Sequence, residues 1–482
     1  MKKTTLLLCV AATFHLSANS QPWQQLAKTD LEFVYQNLKD NHPGVIDEQN
    51  PGFNHWLEQG YQQALSSIAA IDNLDGVLNL QRRYIAGFAD GHVAISFNHQ
   101  RSQVRWPGFI VQKQGRHTVV TQTAEEWPIA LPATGAVLKH CDGLSPQQLL
   151  EQRVLPFHIQ LPELLAVQAN FTPLILREDG SWQGDALTEC VFEHADASVQ
   201  HRLHWRRTSR QNWQQHNEAH TASKDFSLNS FAPNSYWLSL PTFAPSALQQ
   251  VQLKQMTSQL EELRHAKVIV FDVRGNGGGN SQWGADLAIA LFGQEHGYSV
   301  LMPIFEQAVP YWRASDDNTT AVAEIVKELT EQFGADADIT QLFHQLASRM
   351  AEHNANELVP QSTSDSQQDS TAASSPSLTT AKVILLTDGT CASACLDFAD
   401  MLLPLGAIHA GQPTFADTVY MDIRYVELPS QLGSLAIPQK VYRNRPRGHN
   451  EPYTPTAGWL YSDNINNTEA VRSWLLQQLR TE

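Results

Sequence analysis

The chain has 482 residues, 42% of them hydrophobic and 9% aromatic, and a formal charge of −16. That length allows two to four domains around buried cores, which excludes both a disulfide-stapled miniprotein and a largely disordered chain. The acidity argues against a nucleic-acid backbone as partner, and no apolar run of about 18 residues follows the first twenty, so no membrane helix is expected.

Residues 1–20 read as a signal peptide. Lys2 and Lys3 form a basic start, Leu6 to Leu16 an apolar centre, and Ala18-Asn19-Ser20 the small residues of a cleavage site. A lipid anchor at Cys9 is disfavoured by the large Leu8 before it. Removal takes two lysines and no acid, so −16 becomes −18. The remaining protein is expected to be exported, periplasmic or secreted. In an oxidising compartment Cys141, Cys190, Cys391 and Cys395 allow two disulfides. We expect Cys141–Cys190. Cys391 and Cys395 are expected to be small buried hydrophobes, because a bridge within one helical turn is geometrically awkward.

Residues 21–103 should form a helical segment. Leu31, Val34 and Leu38 share one helical face, and Phe53, Leu57, Tyr61, Leu65 and Ile68 make a second stripe. His42-Pro43-Gly44 ends the first helix. Leu74, Leu78, Ile85 and Phe88 belong to a third. In Gly91–Phe97 the period becomes two. Val93, Ile95 and Phe97 face one way, and His92, Ala94 and Ser96 the other. His92 should therefore point away from the aliphatic side at the start of a strand.

Residues 104–207 are expected to be a β-rich module, with Phe109-Ile110-Val111, Val119-Val120 and Ala136-Val137-Leu138 as strands. Gly135–Leu138, then Cys141-Asp142-Gly143 and Leu149-Leu150, resembles the strand, turn and helix of a PDZ domain, with Asn170–Gly184 as an insertion. His216-Asn217-Glu218-Ala219-His220 places two histidines at i, i+4 but has no third ligand, so an exposed linker is preferred to a metal site.

Residues 208–482 read as an α/β core. Strand Tyr236–Leu240 precedes a helix over Ala247–Arg264. Val268–Val273 is a near-continuous apolar run that fits a strand buried on both faces, with a helix at Gly284–Phe292 after it. Residues 295–380 interrupt the alternation with helices at Thr320–Phe333 and Ile339–His353 and a serine-rich stretch, Gln361–Thr380. Strand Lys382–Thr387, the turn Asp388-Gly389 and a helix through Leu403 resume it.

Three segments of this core carry polar residues suited to chemistry. Asp272-Val273-Arg274-Gly275-Asn276-Gly277-Gly278-Gly279-Asn280 follows the buried strand. It fails the dinucleotide fingerprint at Asn280 and lacks the Gly-Lys-Ser/Thr of a P-loop, but its amides suit an oxyanion hole. Thr390-Cys391-Ala392-Ser393-Ala394-Cys395 puts Ser393 where a turn hands over to a helix, with the Ala394 amide at the helix start. By itself that serine reads as an N-cap. Arg445-Pro446-Arg447-Gly448-His449-Asn450-Glu451-Pro452 carries a carboxylate that gains meaning only beside a histidine.

Together these segments resemble the C-terminal processing (tail-specific) proteases and the tricorn-core proteases. The likeness spans His-Pro-Gly, Asp90-Gly91-His92, the PDZ-like insert, Asp272 to Gly279, Ser393 and Gly411-Gln412-Pro413-Thr414. It implies a ClpP/crotonase-like α/β peptidase core and a serine peptidase that needs no cofactor or metal. Extended peptides or unfolded protein tails would be its substrates. One subtype in that superfamily pairs the serine with a lysine after Gly-x-Pro-Thr. Here Phe415-Ala416-Asp417 follows, so that dyad is excluded. The other uses serine, histidine and glutamate, which here implies Ser393, His92 and Glu451, the last 58 residues after the serine. Ala394 and Gly277 or Gly278 would supply the oxyanion hole. Tricorn-like enzymes relay the glutamate through a serine beside the histidine, whereas here Gly91 is the neighbour. His449 and Lys440 are rival bases. A catalytically weak or inactive peptide-binding protein of the same fold is the alternative reading.

Overall fold

A computed structural model describes residues 21–181, 184–218, 225–362 and 375–481. The expected signal peptide, His220 and most of the serine-rich stretch lie outside them. Among the described residues no helix is long and apolar enough to cross a membrane.

Helices Gln21–Asn41, Pro51–Ser67 and Leu74–Ala86 form the N-terminal segment. Leu31, Val34 and Leu38 are fully buried, as their spacing predicts. Their core is closed by Leu428, Leu435 and Ile437 from a distant sheet. In that sheet Ala94–Phe97 pairs with the long strand Gly433–Arg443, which also pairs with Tyr420–Glu427 and Val309–Arg313.

Two departures from expectation follow from this sheet. The first strand begins at Ala94, so His92 lies in the preceding turn and is buried together with Val93 rather than opposed to it. The insertion is also not only helical. Val309–Arg313 and Leu358–Pro360 pair antiparallel and extend the sheet beyond Gly433–Arg443. Helices Asp316–Phe333 and Asp338–Glu352 connect them and cover Trp312. These strands are short and carry Pro310 and Pro360, so they show no periodic signal.

The middle module is a five-stranded antiparallel sheet, Phe109–Gln114, His117–Thr123, Val137–Cys141, Glu189–His194 and Ala197–Arg202, in that spatial order. Its last hairpin turns at Ala195-Asp196, both at positive φ of 48° and 61°, the handedness that matches strand twist. Cys141 and Cys190 sit directly opposite each other and form the expected disulfide.

In the core, strands Ile408–Gly411, Lys382–Thr387, Val268–Asp272 and Ser235–Ser239 run parallel, and Ser227–Ala232 adds an antiparallel edge. Val268–Asp272 is central and buried throughout. Helices Ala247–Glu262, Gln282–Phe292 and Ala394–Leu402 cover one face. The C-terminal helix Thr468–Thr481 covers the other. All four parallel strands therefore end at one carboxyl edge, the usual place for a site in an open α/β sheet.

Candidate active site

At that edge two loops meet. After Val268–Asp272 the chain cannot continue the sheet, because Gly275 and Gly278 take positive φ of 83° and 100°. Asp272 accepts hydrogen bonds from Trp237 Nε1 at 3.0 Å and from Arg274 Nη2 at 2.6 Å. Arg274 in turn reaches Thr468 Oγ1 at 3.1 Å, which holds the C-terminal segment under the loop. Asn276 Nδ2 donates to Leu240 O at 2.9 Å, so the glycine loop is pinned along residues 240–243.

The second loop, Asp388–Ser393, links strand Lys382–Thr387 to helix Ala394–Leu402. Buried Asp388 joins the two loops, accepting from Gly275 N at 3.1 Å and from Thr390 N at 3.0 Å. Burial raises its pKa, against those hydrogen bonds. Ser393 has φ 53° and ψ −123°, a backbone state that costs an L-residue of order 1–3 kcal/mol and clusters at functional sites. Its hydroxyl makes no capping hydrogen bond, so the N-cap role is not the one it plays. The first N–H groups of the following helix, Ala394 among them, have no intrahelical acceptor.

The expectation for Cys391 and Cys395 is overturned: they form a disulfide, with Cα atoms 5.3 Å apart. The argument against it assumed a helical turn. Helix Ala394–Leu402 begins only after Ser393, whose positive φ swings Cys391 beside Cys395. The bridge therefore brackets the serine.

Of the two glycines considered for an oxyanion hole, Gly278 gives its N–H to Asn276 Oδ1 at 2.9 Å. Gly278 instead serves as the contact surface. A Cβ there would lie 2.8 Å from Ser393 Cβ and 2.7 Å from Ala392 O. Gly277 is exposed, with open space where a Cβ would stand.

Loop 444–453 brings the histidine turn and the serine helix together. Arg447 is the hub. It donates to Asp397 at 2.6 Å and to Asp400 at 3.0 Å, both on the serine helix, and to Asp417 just beyond Gly-x-Pro-Thr. Burial opposes its charge, but the three carboxylates outweigh burial and hold its pKa above the ordinary value. The position where a lysine base would stand is thus filled by an acid already paired with Arg447 and Arg445. On the other side of the loop, Asn450 Nδ2 donates to Ala89 O at 2.9 Å, beside Asp90-Gly91-His92.

Among the described residues no hydrogen bond joins Glu451 to His92 or His92 to Ser393. Exposed Glu451 accepts from Gly448 N at 2.8 Å. The rival bases differ in kind. Lys440 is buried against Asp422 and Tyr442, which outweigh desolvation and hold its pKa above the usual lysine range, so it is a fixed cation. His449 stands edge-on to Tyr420 at 6.0 Å, and burial lowers its pKa. His216 packs against Trp106, with ring centroids 5.0 Å apart. Asp388, the carboxylates around Arg447, and Asp90 were missed as site builders. The Asp388-Gly389 turn, the Arg-Pro-Arg run, Asp90-Gly91-His92 and Asp417 after Gly-x-Pro-Thr were the sequence signals for them.

A cavity of about 520 Å³ opens at this edge between core and module, lined by Thr242, Gly275 and Thr390 on one side and Gln112, Lys113 and Asn170 on the other. Asn170 Nδ2 anchors the module to the serine loop through Gly389 O at 2.7 Å.

Comparison with known families supports a serine-type peptidase. Residues 237–451 match the sequence model of peptidase family S41. None of the curated proteins matches in sequence. The fold is similar to that of mature CPAF, with TM-score 0.63 and 12% identity over 95% of this chain and 96% of that one. Mature CPAF complexed with lactacystin aligns with TM-score 0.62 and 11% identity over 95% and 97% of the two chains.

Proposed function

We propose that this protein is an exported serine endopeptidase that cleaves extended peptides or unstructured protein tails through an acyl-enzyme on Ser393. One observation carries the reading: Ser393 stands at the carboxyl edge of the parallel sheet, at φ 53°, with its hydroxyl uncommitted at a helix start. Residues 1–20 have the composition of an export signal, and both disulfides suit an oxidising compartment. The open cavity between core and a PDZ-like module suits an extended chain.

In this mechanism Ser393 Oγ attacks the scissile carbonyl carbon while its proton passes to His92 Nε2. The Ala394 and Gly277 amides face the developing oxyanion. The C–N bond breaks, and the proton on His92 passes to the departing amine. Water then attacks the acyl carbon, giving its proton to His92, and the acid leaves as Ser393 regains its hydrogen. The resemblance assigns Glu451 to His92; its neighbour Asn450 donates to Ala89 O, three residues before His92.

A fluorophosphonate probe tests this. Wild type should be labelled on Ser393, and Ser393→Ala should not. Equal labelling of both would remove Ser393 as nucleophile. Absence of labelling together with retained peptide binding would favour the binding-only reading.

A further inference from the structure

Asp90 is a buried carboxylate between two histidines. Ala89, at φ 51°, turns the chain after helix Leu74–Ala86 so that Asp90 enters the core, where it is 5% exposed. Its Oδ1 accepts His92 N–H at 2.8 Å and lies 4.0 Å from His92 Nδ1. Its Oδ2 accepts from Thr418 Oγ1 at 2.9 Å and lies 3.9 Å from His42 Nε2.

An Asx turn explains only the backbone contact. The two imidazoles need another account. His42 Nε2 and His92 Nδ1 are both buried without a hydrogen-bond partner, and both face this one carboxylate. Orphaned buried donors are costly and rare, so their convergence has meaning. His42 accepts Gly44 N–H on Nδ1 at 3.0 Å, so neutral His42 carries its proton on Nε2, toward Asp90. Burial and Arg313 keep that ring neutral. Its ring is stacked on Phe53 at 4.1 Å and edged by Tyr420 at 4.8 Å, so it cannot turn away freely.

The geometry points to Asp90, not Glu451, as the positioning residue of His92: a small turn of the ring from the 4.0 Å separation lets Asp90 accept the Nδ1 proton, while Thr418 holds its second oxygen and His42 faces it. This rests on Ser393 and His92 acting as nucleophile and base. A carboxylate on Nδ1 fixes the tautomer that leaves Nε2 free to take the serine proton, and it stabilises the imidazolium that forms. Both histidines and Asp90 come from the N-terminal segment, so that segment supplies the base as a pre-assembled unit.

The test compares Asp90→Asn and Glu451→Gln in the full chain, by the rate of fluorophosphonate labelling and by kcat and KM on an unfolded peptide. Asparagine can keep the bond from His92 N–H. We expect Asp90→Asn to lower kcat and the labelling rate by about 10²–10⁴-fold with KM changed by less than about threefold, and Glu451→Gln to change both rates by less than about fivefold. A structural role alone would shift the melting temperature without this split. Wild-type rates in folded Asp90→Asn, or a 10²-fold loss in Glu451→Gln, would overturn the assignment. A second measurement does not depend on the variant folding. In wild-type protein labelled with ¹⁵N-histidine, His92 (identified by loss of its signals in His92→Gln) should carry its neutral-form proton on Nδ1. A proton on Nε2 would overturn the assignment. If wild type is not labelled at Ser393 at all, the peptidase reading falls. If it is labelled while Asp90→Asn labels equally, only the role of Asp90 falls.

Discussion

The Cβ position of Gly278 lies 2.8 Å from Cβ of Ser393, closer than side-chain carbons pack. The glycine loop and the serine turn are therefore in backbone contact, and the absence of a side chain at 278 is what lets them meet. Gly278 also sits at φ 100°, where an L-residue is strained. Gly278→Ala should cost about 1–3 kcal/mol and abolish most labelling of Ser393, since the serine turn must shift. Gly277→Ala, with nothing within 4 Å of its Cβ, should leave stability within about 0.5 kcal/mol. Urea denaturation of the two variants checks this, and equal losses would mean that the contact is not what makes Gly278 necessary.

Arg447 binds three carboxylates, Asp397, Asp400 and Asp417, and its side chain is 2% exposed. Arg447→Met would leave buried acids uncompensated, which typically costs about 3–5 kcal/mol. Arg447→Lys should recover little, because a point charge cannot reach three acceptors as a planar fork does. Denaturant midpoints measure this. Full recovery by lysine would show that charge alone matters.

The two disulfides should separate by function. Cys141–Cys190 closes a 49-residue span in the module, and replacing both cysteines by alanine should lower stability by about 2–4 kcal/mol without slowing Ser393 labelling. Cys391–Cys395 spans four positions around Ser393. Replacing that pair should change stability less but slow labelling several-fold, because the turn loses its brace. Identical behaviour of the two double variants would refute the distinction.

Acid should weaken the fold through buried histidines. His409 lies 2.7 Å from Thr387 Oγ1, and burial lowers its pKa from 6.5 to about 4. Between those values the unfolded chain binds a proton that the native chain does not. Stability therefore rises with pH across the window and is lost as pH falls from about 6.5 toward 4. His158, also lowered to about 4 by burial, acts in the same sense. Asp90, Asp388 and Asp400, raised by burial, act oppositely, so a single-site difference is the useful measure. In His409→Gln the slope of stability against pH in this window should be shallower than wild type by up to about 1.4 kcal/mol per pH unit. A parallel pair of curves would show that His409 titrates alike in both states.

Much of the fold was legible in the chain itself. The stripe Leu31, Val34, Leu38, the buried run Val268–Asp272 and the strand Lys382–Thr387 declare themselves because periodicity and burial are local properties of a few consecutive residues. The same holds for the glycine loop after Asp272 and the serine turn after Asp388, where turn chemistry is written in adjacent residues. The Cys141–Cys190 bridge was the expected one among the pairings that four cysteines allow.

What only the tertiary structure decided depends on residues far apart in sequence or on one backbone angle. The Cys391–Cys395 bridge turns on Ser393 leaving the helical region, which no spacing rule foresees. Strands Val309–Arg313 and Leu358–Pro360 exist because Gly433–Arg443 offers an edge more than seventy residues away from either. Arg447 finds its acids only once loop 444–453 has folded against the serine helix, and Asp90 finds Thr418 only once the helical segment has docked on the second sheet. A buried charge takes whatever partner the packing brings within reach. Its pairing is therefore settled by long-range geometry, while helices, strands and turns are settled largely by their neighbours.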